Sequence, residues 1–351
     1  MKRDFKKIFI RVILAFMAVA LVGAIVSSAY VNSILNNINR VEGEEPTLSQ
    51  EEIDLILAQT DAPEDLIIPE TTEPEVTEIP ETLPPETEPE IVEETVEETE
   101  PEGKTINILL IGQDRRKNEP RQRSDAMILC SINVQKKTLV FTSFLRDTYV
   151  KFPGNYASNR LNVPYVIGGM KMLDNTLKLN FGVEVDHNIE VDFSGFKAVI
   201  DHMGGVEIEL SQAEADLINK VIVGGDLLKG PNKLTGEQAL VYSRIRKLDS
   251  DFVRTDRQRK VLNALFQRAK NLSLKNLLSL VNEVAPLITT DMTNEEIIDY
   301  IALVFPVLKD LKVSLQRIPA DGTFKYDTID GMSVIVPNYS RNRQILKETI
   351  G

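Results

Sequence analysis

Two aspartates and a group of arginines lie close together in one stretch of this sequence. The apolar run that ends at Gly112 is followed by Asp114, and Asp125 comes eleven residues later. They are accompanied by five arginines: Arg115, Arg116, Arg121, Arg123 and Arg146. Carboxylates among guanidinium groups suit a divalent cation held beside a phosphate, because Mg²⁺ is commonly bound by one or two carboxylates and by substrate phosphate oxygens. We therefore interpret Asp114 and Asp125 as metal ligands for Mg²⁺, with Mn²⁺ as the alternative; a salt-bridged surface loop is the competing interpretation.

A second basic group lies further along the chain, at Arg244, Arg246, Arg254, Arg257 and Gln258. On a helix the last three of these would share one face, since they are spaced i, i+3 and i+4. Arg244 and Arg246 would share a face only in extended chain. The planar fork of arginine binds phosphate oxygens at two points, so two such groups suit a pyrophosphate better than a single phosphate. Nucleic acid is disfavoured as the anion, because the groups are nearly free of aromatic stacking platforms.

The strands that flank the first stretch would bring its two aspartates together. Thr105–Ile111, Ala126–Val134 and Thr138–Phe144 are β-prone runs. If the first two pair as antiparallel neighbours, the end of one and the start of the other lie at the same edge of a sheet. Asp114 and Asp125 would then face one another across a single loop.

Helices and strands alternate along the rest of the folded region, which predicts an α/β fold with a layered sheet flanked by helices. Strands are predicted at 189–193, 206–210 and 311–318, with a hairpin around Asp330-Gly331. Helices are predicted at 163–180, 194–203, 235–244, 252–270, 273–288, 294–308 and 339–349, the sixth with a capping box of Thr293 and Glu296.

The N-terminal residues are predicted to form a membrane anchor. Five basic residues precede an uncharged, mostly apolar run at 12–31, about the length that an α-helix needs to cross a bilayer. Residues 1–31 are therefore predicted to be a basic tail and a transmembrane helix. The basic cluster lies on the N-terminal side only, which places the N-terminus in the cytoplasm and the C-terminal domain outside the cell membrane. A cleaved signal peptide is the alternative interpretation.

An acidic segment separates the anchor from the folded region. Residues 41–103 contain 20 Glu, three Asp and nine prolines but no Lys, Arg or aromatic residue. We predict that 32–103 form a disordered stalk, with one short helix at 48–59 capped by Thr47 and Gln50. Residues 104–351 are predicted to form a single domain with a net charge of +5, in contrast to −13 for the whole chain. A mildly basic domain suits an anionic ligand.

Cysteine and histidine carry little of the chemistry. Cys130, the only cysteine, lies within an apolar run, so we expect a buried strand residue and no disulfide. His187 and His202, the only histidines, lack partners at metal-ligand spacing. Zinc chemistry and a Ser-His-Asp triad are therefore disfavoured.

Taken together, these motifs resemble the LytR-CpsA-Psr family of membrane-anchored cell-wall glycopolymer ligases. The resemblance covers about 104–260 and is carried by seven segments in the family's order: 107–114, 123–125, 143–147, 204–206, 234–240, 242–246 and 251–258. Two positions depart from the family pattern. Leu145 stands where a proline is usual, and Arg115-Arg116 stand where one arginine is usual, with Arg116 the better equivalent.

The resemblance implies a phosphotransferase. It would move a glycan phosphate, from teichoic acid, capsule or another wall polymer, from a polyprenyl-pyrophosphate carrier to a peptidoglycan sugar hydroxyl at the outer face of the bilayer. Asp114 and Asp125 would hold Mg²⁺, and the pyrophosphate would be bound by Arg123, Arg146, Arg244, Arg246, Arg254 and Gln258. Arg116 joins this group as the loop arginine, and Arg257 joins it by its place on the helical face. The prenyl tail would need an apolar channel, for which the helical segments 261–266 and 274–280 are candidates.

Two alternative functions fit the same residues. A lipid pyrophosphatase would hydrolyse the carrier without an acceptor, and a noncatalytic wall-binding regulator would bind it without turnover.

Overall fold

The computed structural model describes residues 29–41, 48–49, 51–53, 104–113, 121–245 and 251–351. Most of the predicted membrane span and of the predicted stalk lies outside these ranges, as do Asp114, Arg115, Arg116 and Arg246. Within the described ranges, none of the helices combines the length and the apolar character that crossing a bilayer requires.

A mixed sheet of seven strands forms the centre of the domain. The strands of the described residues are β1 (Asn39–Arg40), β2 (Ile106–Gln113), β3 (Ser124–Asn133), β4 (Thr138–Phe144), β5 (Tyr149–Val150), β6 (Asn159–Arg160), β7 (His187–Asp192), β8 (Val206–Leu210), β9 (Gly230–Leu234), β10 (Ile288–Thr290), β11 (Lys312–Ile318), β12 (Phe324–Ile329) and β13 (Met332–Pro337). The order in the central sheet is β1-β10-β7-β2-β3-β4-β11. β2 pairs antiparallel with β3 and parallel with β7, β3 pairs antiparallel with β4, and β4 pairs parallel with β11.

Helices cover both faces of this sheet, so the predicted α/β architecture is confirmed. They are α1 (residues 29–35), α2 (residues 51–53), α3 (Val163–Phe181), α4 (Phe193–His202), α5 (Gln212–Val221), α6 (Gly236–Ser243), α7 (Asp251–Ala269), α8 (Leu274–Val284), α9 (Asn294–Val304) and α10 (Tyr339–Ile350).

Local signals set most of the helix ends. Thr293 and Glu296 form the predicted capping box at the start of α9, and Gly182 ends α3 in the left-handed conformation at φ 71. The predicted helix at 273–288 is too long. It ends at Val284 and passes through a 3-10 turn into β10, because Pro286 cannot continue the α-helical hydrogen bonding.

The two faces of the sheet are buried to different extents. Leu109, Ile111 and Leu129 are at most 1% exposed and pack against α3. The alternate residues Ile108 and Leu110 point to the other face, below α7, and are only partly buried. Cys130 shares that second face and is buried in β3, as predicted. One face is therefore closed core, and the other is an apolar surface that is incompletely covered.

A separate core supports the helices that follow the sheet. The β8–β9 hairpin packs with α4, α5 and α6, and Ile200, Ala215, Ile218 and Val261 are fully buried there. Val261 belongs to α7, and the next residues of that helix, Leu262 and Phe266, pack on the seven-stranded sheet, so α7 connects this core to the sheet.

The folded domain also includes residues that the sequence analysis assigned to the stalk. α1 packs against the region of α8 and α9, and β1 pairs parallel with β10 at the edge of the sheet. Ile53 of α2 is 2% exposed within the main core. Ser49 and Glu52 cap α2, whereas Thr47 and Gln50, the predicted cap, lie outside the described residues. The domain boundary predicted at residue 104 is thus wrong for 32–41 and 51–53, because apolar residues within those segments find partners in the domain.

Candidate active site

Asp125 and Arg146 form the centre of the candidate site. Arg146 Nη1 donates to Asp125 Oδ1 at 2.7 Å, and the two side chains are 11% and 36% exposed. The strand register explains the contact. Ile128 of β3 pairs with Ser143 of β4, so Asp125 and Arg146, three residues beyond each, are opposite one another at the end of the ladder.

On the side of β3 that faces β2, a break in the strand register leaves Asp125 without a partner residue on β2. Gly112 of β2 pairs with Ala126, but Gln113 pairs with Ser124, which leaves Asp125 as the extra residue of a β-bulge. Bulges re-aim side chains at the ends of strands and are common beside functional sites. The bulge therefore helps to direct the Asp125 carboxylate toward Arg146.

A buried polar network holds the segment before Asp125. Glu190 of β7 accepts hydrogen bonds from Gln113 Nε2 and from the Tyr165 hydroxyl, and all three residues are buried. Gln113 Oε1 in turn accepts from the backbone N–H of Gln122 at 3.1 Å. Arg121 lies over the Tyr165 ring at 5.6 Å from its centroid. This network fixes residues 121–122 although they lie outside any strand.

The start of α3 joins the two halves of the Asp125–Arg146 pair. The Asn162 carbonyl accepts from the N–H of Ser124 at 3.3 Å, and the Asn162 N–H donates to the Arg146 carbonyl at 3.2 Å. Sequence reasoning missed Gln113, Tyr165, Asn162 and Glu190 as positioning residues. Only Glu190, an acidic residue between Ile189 and Val191 in a predicted strand, carried a signal that could have pointed to it.

Arg244 lies at the same edge of the sheet. Its guanidinium stacks on the Phe193 ring at 4.5 Å, and Phe193 directly follows the last residue of β7. β7 is parallel to β2, with Asp192 paired to Gln113, so both strands end at this edge. Ligands of α/β proteins commonly bind beyond the carboxyl ends of strands. The edge thus gathers Asp125, Arg146 and Arg244.

The first turn of α7 packs against Leu145, the residue that precedes Arg146. Phe252 of α7 belongs to one buried cluster with Leu145, the neighbour of Arg146, and with Ile335. Arg254 is 4% exposed, and Gln258, one turn later, is half-buried. α7 therefore presents a second source of guanidinium and amide groups near the strand ends.

Arg257 departs from the prediction. It is 2% exposed, its Nε donates to Glu214 Oε1 at 2.7 Å, and its Nη1 donates to the Ile245 carbonyl at 3.0 Å. Burial by itself would raise the pKa of Glu214, but hydrogen bonds from Arg257 and Ser211 lower it below the ordinary value. Arg257 is thus committed to an ion pair in the core around β8 and β9, and we correct its assignment as a pyrophosphate ligand.

The remaining predicted site residues are partly described. Arg123 is half-buried just before Asp125, whereas Asp114, Arg116 and Arg246 lie outside the described residues. Among the described residues, no group of three or more His, Cys, Asp or Glu side chains is arranged to hold a metal ion. The one predicted metal ligand that is described, Asp125, keeps a partly exposed carboxylate next to Arg146.

The fold is a mixed α/β domain that places arginines and a carboxylate at the ends of its strands, an arrangement that suits an anionic ligand. The chain belongs to the LytR_cpsA_psr family, whose model matches residues 77–350. The resemblance drawn from the sequence motifs is therefore confirmed.

Similar proteins have been named for their activity. The chain is 31% identical over 225 residues to the polyisoprenyl-teichoic acid-peptidoglycan teichoic acid transferase TagU of Bacillus mycoides, which covers 62% of this chain and 69% of that protein. It is 32% identical over 188 residues to the transferase TagT of Bacillus subtilis, which covers 51% of this chain and 57% of TagT. The matched segments thus span from just over half to about two thirds of these relatives.

Solved structures share the fold. The crystal structure of B. subtilis TagT superposes with a TM-score of 0.57 at 27% identity, covering 72% of this chain and 93% of TagT. A structure of TagT with bound octaprenyl pyrophosphate lipid superposes with a TM-score of 0.55 at 26% identity, covering 73% of this chain and 92% of TagT.

Proposed function

We propose that this protein is a phosphotransferase that moves a glycan phosphate from a polyprenyl-pyrophosphate carrier to a sugar hydroxyl of peptidoglycan. The observation that carries the proposal is the Asp125–Arg146 pair at the strand ends, where Arg244 also lies. The names of the relatives support the same reaction and favour teichoic acid as the glycan polymer. We further propose that the protein acts at the outer face of the cell membrane.

The chemistry requires no covalent intermediate on the protein. The acceptor hydroxyl oxygen attacks the phosphorus that carries the glycan, the bond from that phosphorus to the bridging oxygen breaks, and polyprenyl phosphate leaves. A phosphodiester between glycan and peptidoglycan results, and the proton of the hydroxyl passes to a base. Phosphoryl transfer depends mainly on positioning and on stabilising charge at the phosphate oxygens. Arg146, Arg244 and Arg254 supply positive charge, and Asp125 is the described candidate for the base.

A divalent cation fits the chemistry of the site. Asp125 is a partly exposed carboxylate, and its Oδ1 accepts from the Arg146 guanidinium. Asp125 and Asp114 would hold Mg²⁺ or Mn²⁺, which would neutralise charge on the pyrophosphate.

The incompletely covered face of the sheet suits the prenyl tail. Ile108 and Leu110 of the sheet, with Leu262 and Phe266 of α7, line this apolar surface. Every residue of α9 beside it stays at least partly exposed, although five of its eleven residues are Ile, Leu or Val. Of the segment predicted to line a channel, Val261 instead belongs to the core around β8 and β9. We propose that the tail lies between this face and α7.

Turnover of a defined substrate tests the proposal. The full chain, embedded in lipid nanodiscs with a polyprenyl-pyrophosphate-linked glycan, should release polyprenyl phosphate and form a glycan–peptidoglycan product when peptidoglycan fragments and Mg²⁺ are added. Release that is equally fast without an acceptor would instead identify a lipid pyrophosphatase. Stoichiometric binding without turnover would identify a noncatalytic regulator.

Paired variants localise the chemistry. Arg146→Gln should reduce turnover by about 10²–10³-fold, the effect typical of removing one preorganised charge donor. Arg341→Gln removes an exposed arginine of α10 that contacts Gln344, and should leave turnover unchanged. Asp125→Asn should abolish the response to Mg²⁺. Equal turnover in Arg146→Gln and Arg341→Gln would contradict the assignment of the site.

A further inference from the structure

The residues that directly follow the predicted membrane span are docked on the domain. Ile34, Leu35 and Ile38 are 3%, 1% and 6% exposed. Leu35 and Ile38 pack with Ala285, and with Ile297 of α9 beside them. Since the predicted span covers 12–31, the chain reaches this contact within a few residues of the bilayer.

Polar contacts fix the same segment in register. Asn39 Nδ2 donates to the carbonyls of Pro286 and Ile288 at 3.1 and 3.0 Å. Arg40 Nη2 donates to Asn294 Oδ1 at 2.6 Å. β1 extends the sheet by parallel pairing, in which Asn39 and Arg40 pair with Thr289 and Thr290. We call residues 29–41 the docking strap, because apolar burial, side-chain hydrogen bonds and strand pairing all attach it to one side of the domain.

Both ends of the acidic segment are attached to the same domain. The chain leaves the folded domain after Ile53, which is 2% exposed within the main core. It returns at Lys104, whose ammonium lies 3.1 Å from Asp186, and enters β2 at the buried Ile106. Residues 54–103, which contain 15 Glu and three Asp and no basic residue, thus connect two fixed points of one folded unit.

The docking strap lies next to the incompletely covered face of the sheet. α9 contacts the strap through Ile297 and Ile298, and its last residue, Val304, packs over the sheet face that includes Ile108. Two apolar side chains of these helices point to solvent: Tyr30 of α1 is 58% exposed and Leu303 of α9 is 48% exposed. Tyrosine is favoured where a chain crosses from lipid headgroups to water.

We propose that the docking strap holds the α1–α9 side of the domain against the bilayer, with Tyr30 and Leu303 at the lipid surface. Residues 54–103 then connect two points of the domain and do not link the domain to the membrane. The proposal rests on the proposed membrane anchor. It implies that the polyprenyl substrate passes from the bilayer directly to the adjacent apolar face, and that the site works only on lipid in the leaflet beside it.

The height of the domain above the membrane shows whether residues 54–103 link the domain to the membrane. Lys325→Cys places an exposed thiol on the β12–β13 hairpin that can carry a donor dye, whereas the native Cys130 is buried. Acceptor dyes in the lipid of nanodiscs then report the distance to the bilayer. Replacing 58–99 by eight Gly/Ser residues should leave the energy transfer unchanged. A tether of 63 flexible residues would instead shorten by roughly 15 Å in this variant, which would overturn the proposal.

An insertion provides the matched control. Forty Gly/Ser residues placed after Val31 and followed by a second copy of residues 29–31, so that the predicted span of 12–31 stays whole, leave the strap and the fold intact. They should raise the domain by roughly 35 Å. This variant should also release polyprenyl phosphate more slowly from substrate in a bilayer, while release from a short-chain soluble analogue stays at the wild-type rate. Unchanged energy transfer after the insertion, or an unchanged rate on the bilayer, would contradict the proposal. The height measurement needs no turnover, so it remains decisive even if the transferase activity is not found.

Discussion

Replacing Arg257 by leucine tests whether this arginine serves the fold or the substrate. The sequence places Arg257 on the same helical face as Arg254, whereas the structure buries it against Glu214. A substrate ligand and a core ion pair predict opposite results for stability and for turnover. We expect Arg257→Leu to destabilise the protein and to leave the chemistry of the folded fraction largely unchanged.

The magnitude follows from what the substitution leaves behind. Arg257 is 2% exposed and donates to Glu214 at 2.7 Å and to the Ile245 carbonyl at 3.0 Å. Removing one partner of a buried ion pair typically costs about 3–5 kcal/mol, because the other charge stays buried without compensation. Replacing both partners by apolar residues is often nearly neutral. Arg257→Leu alone should therefore cost about 3–5 kcal/mol. Arg257→Leu with Glu214→Leu should recover only part of it, because Glu214→Leu also removes the hydrogen bonds that Glu214 accepts from Ser211 at the start of α5.

Urea denaturation of the single and double variants measures these values, and pH gives an independent check. Because the pKa of Glu214 is lowered in the folded protein, the stability that the pair contributes is fully present above the ordinary glutamate pKa of about 4.3. It is lost as the pH falls through the lowered pKa. The difference between wild type and Arg257→Leu should therefore narrow below about pH 4. An Arg257→Leu protein as stable as wild type, but without turnover, would refute the assignment to the core.

Two further predictions concern the interior of the domain. Tyr165→Phe keeps the ring beneath Arg121 but removes the hydroxyl that donates to the buried Glu190, so it should cost about 1–3 kcal/mol in urea denaturation; no loss would show that this hydrogen bond does not hold the site. Burial raises the pKa of the Cys130 thiol, so a thiol reagent should label it at pH 8 only in denaturant. Rapid labelling of the folded protein would show that the sheet face is open to water.

The strands around the site were predictable because their signals are local. The β-prone runs flanking Asp125 place it at a strand end, and β2 and β3 are indeed antiparallel neighbours. The Thr293 capping box and the break at Gly182 marked helix ends for the same reason. The bulge at Asp125 was not predictable, because it depends on how two strands pair and not on either strand alone.

Tertiary partners decided the features that sequence reasoning missed. Arg254 and Arg257 are both arginines on one face of α7, so the sequence does not distinguish them. The structure does, because Arg257 pairs with Glu214. Glu214 lies on α5, a helix that the sequence analysis did not predict. Residues 32–41 carry few signals of their own, and Leu35 and Ile38 acquire a role only from contacts with residues about 250 positions later. Asp114, Arg116 and Arg246 stay predictions.

The parallel pairing of β1 with β10 has a practical consequence for solubility. β10 has three residues, and without β1 it would become the outer strand of the sheet with a row of unpaired backbone groups. A fragment that starts at Lys104 would also uncover the apolar surface around Ala285, Ile297 and Ile298. An open strand edge next to an apolar patch favours edge-to-edge association. Such a fragment should form oligomers or aggregate, whereas one that starts at Ala29 keeps its sheet capped and should stay monodisperse.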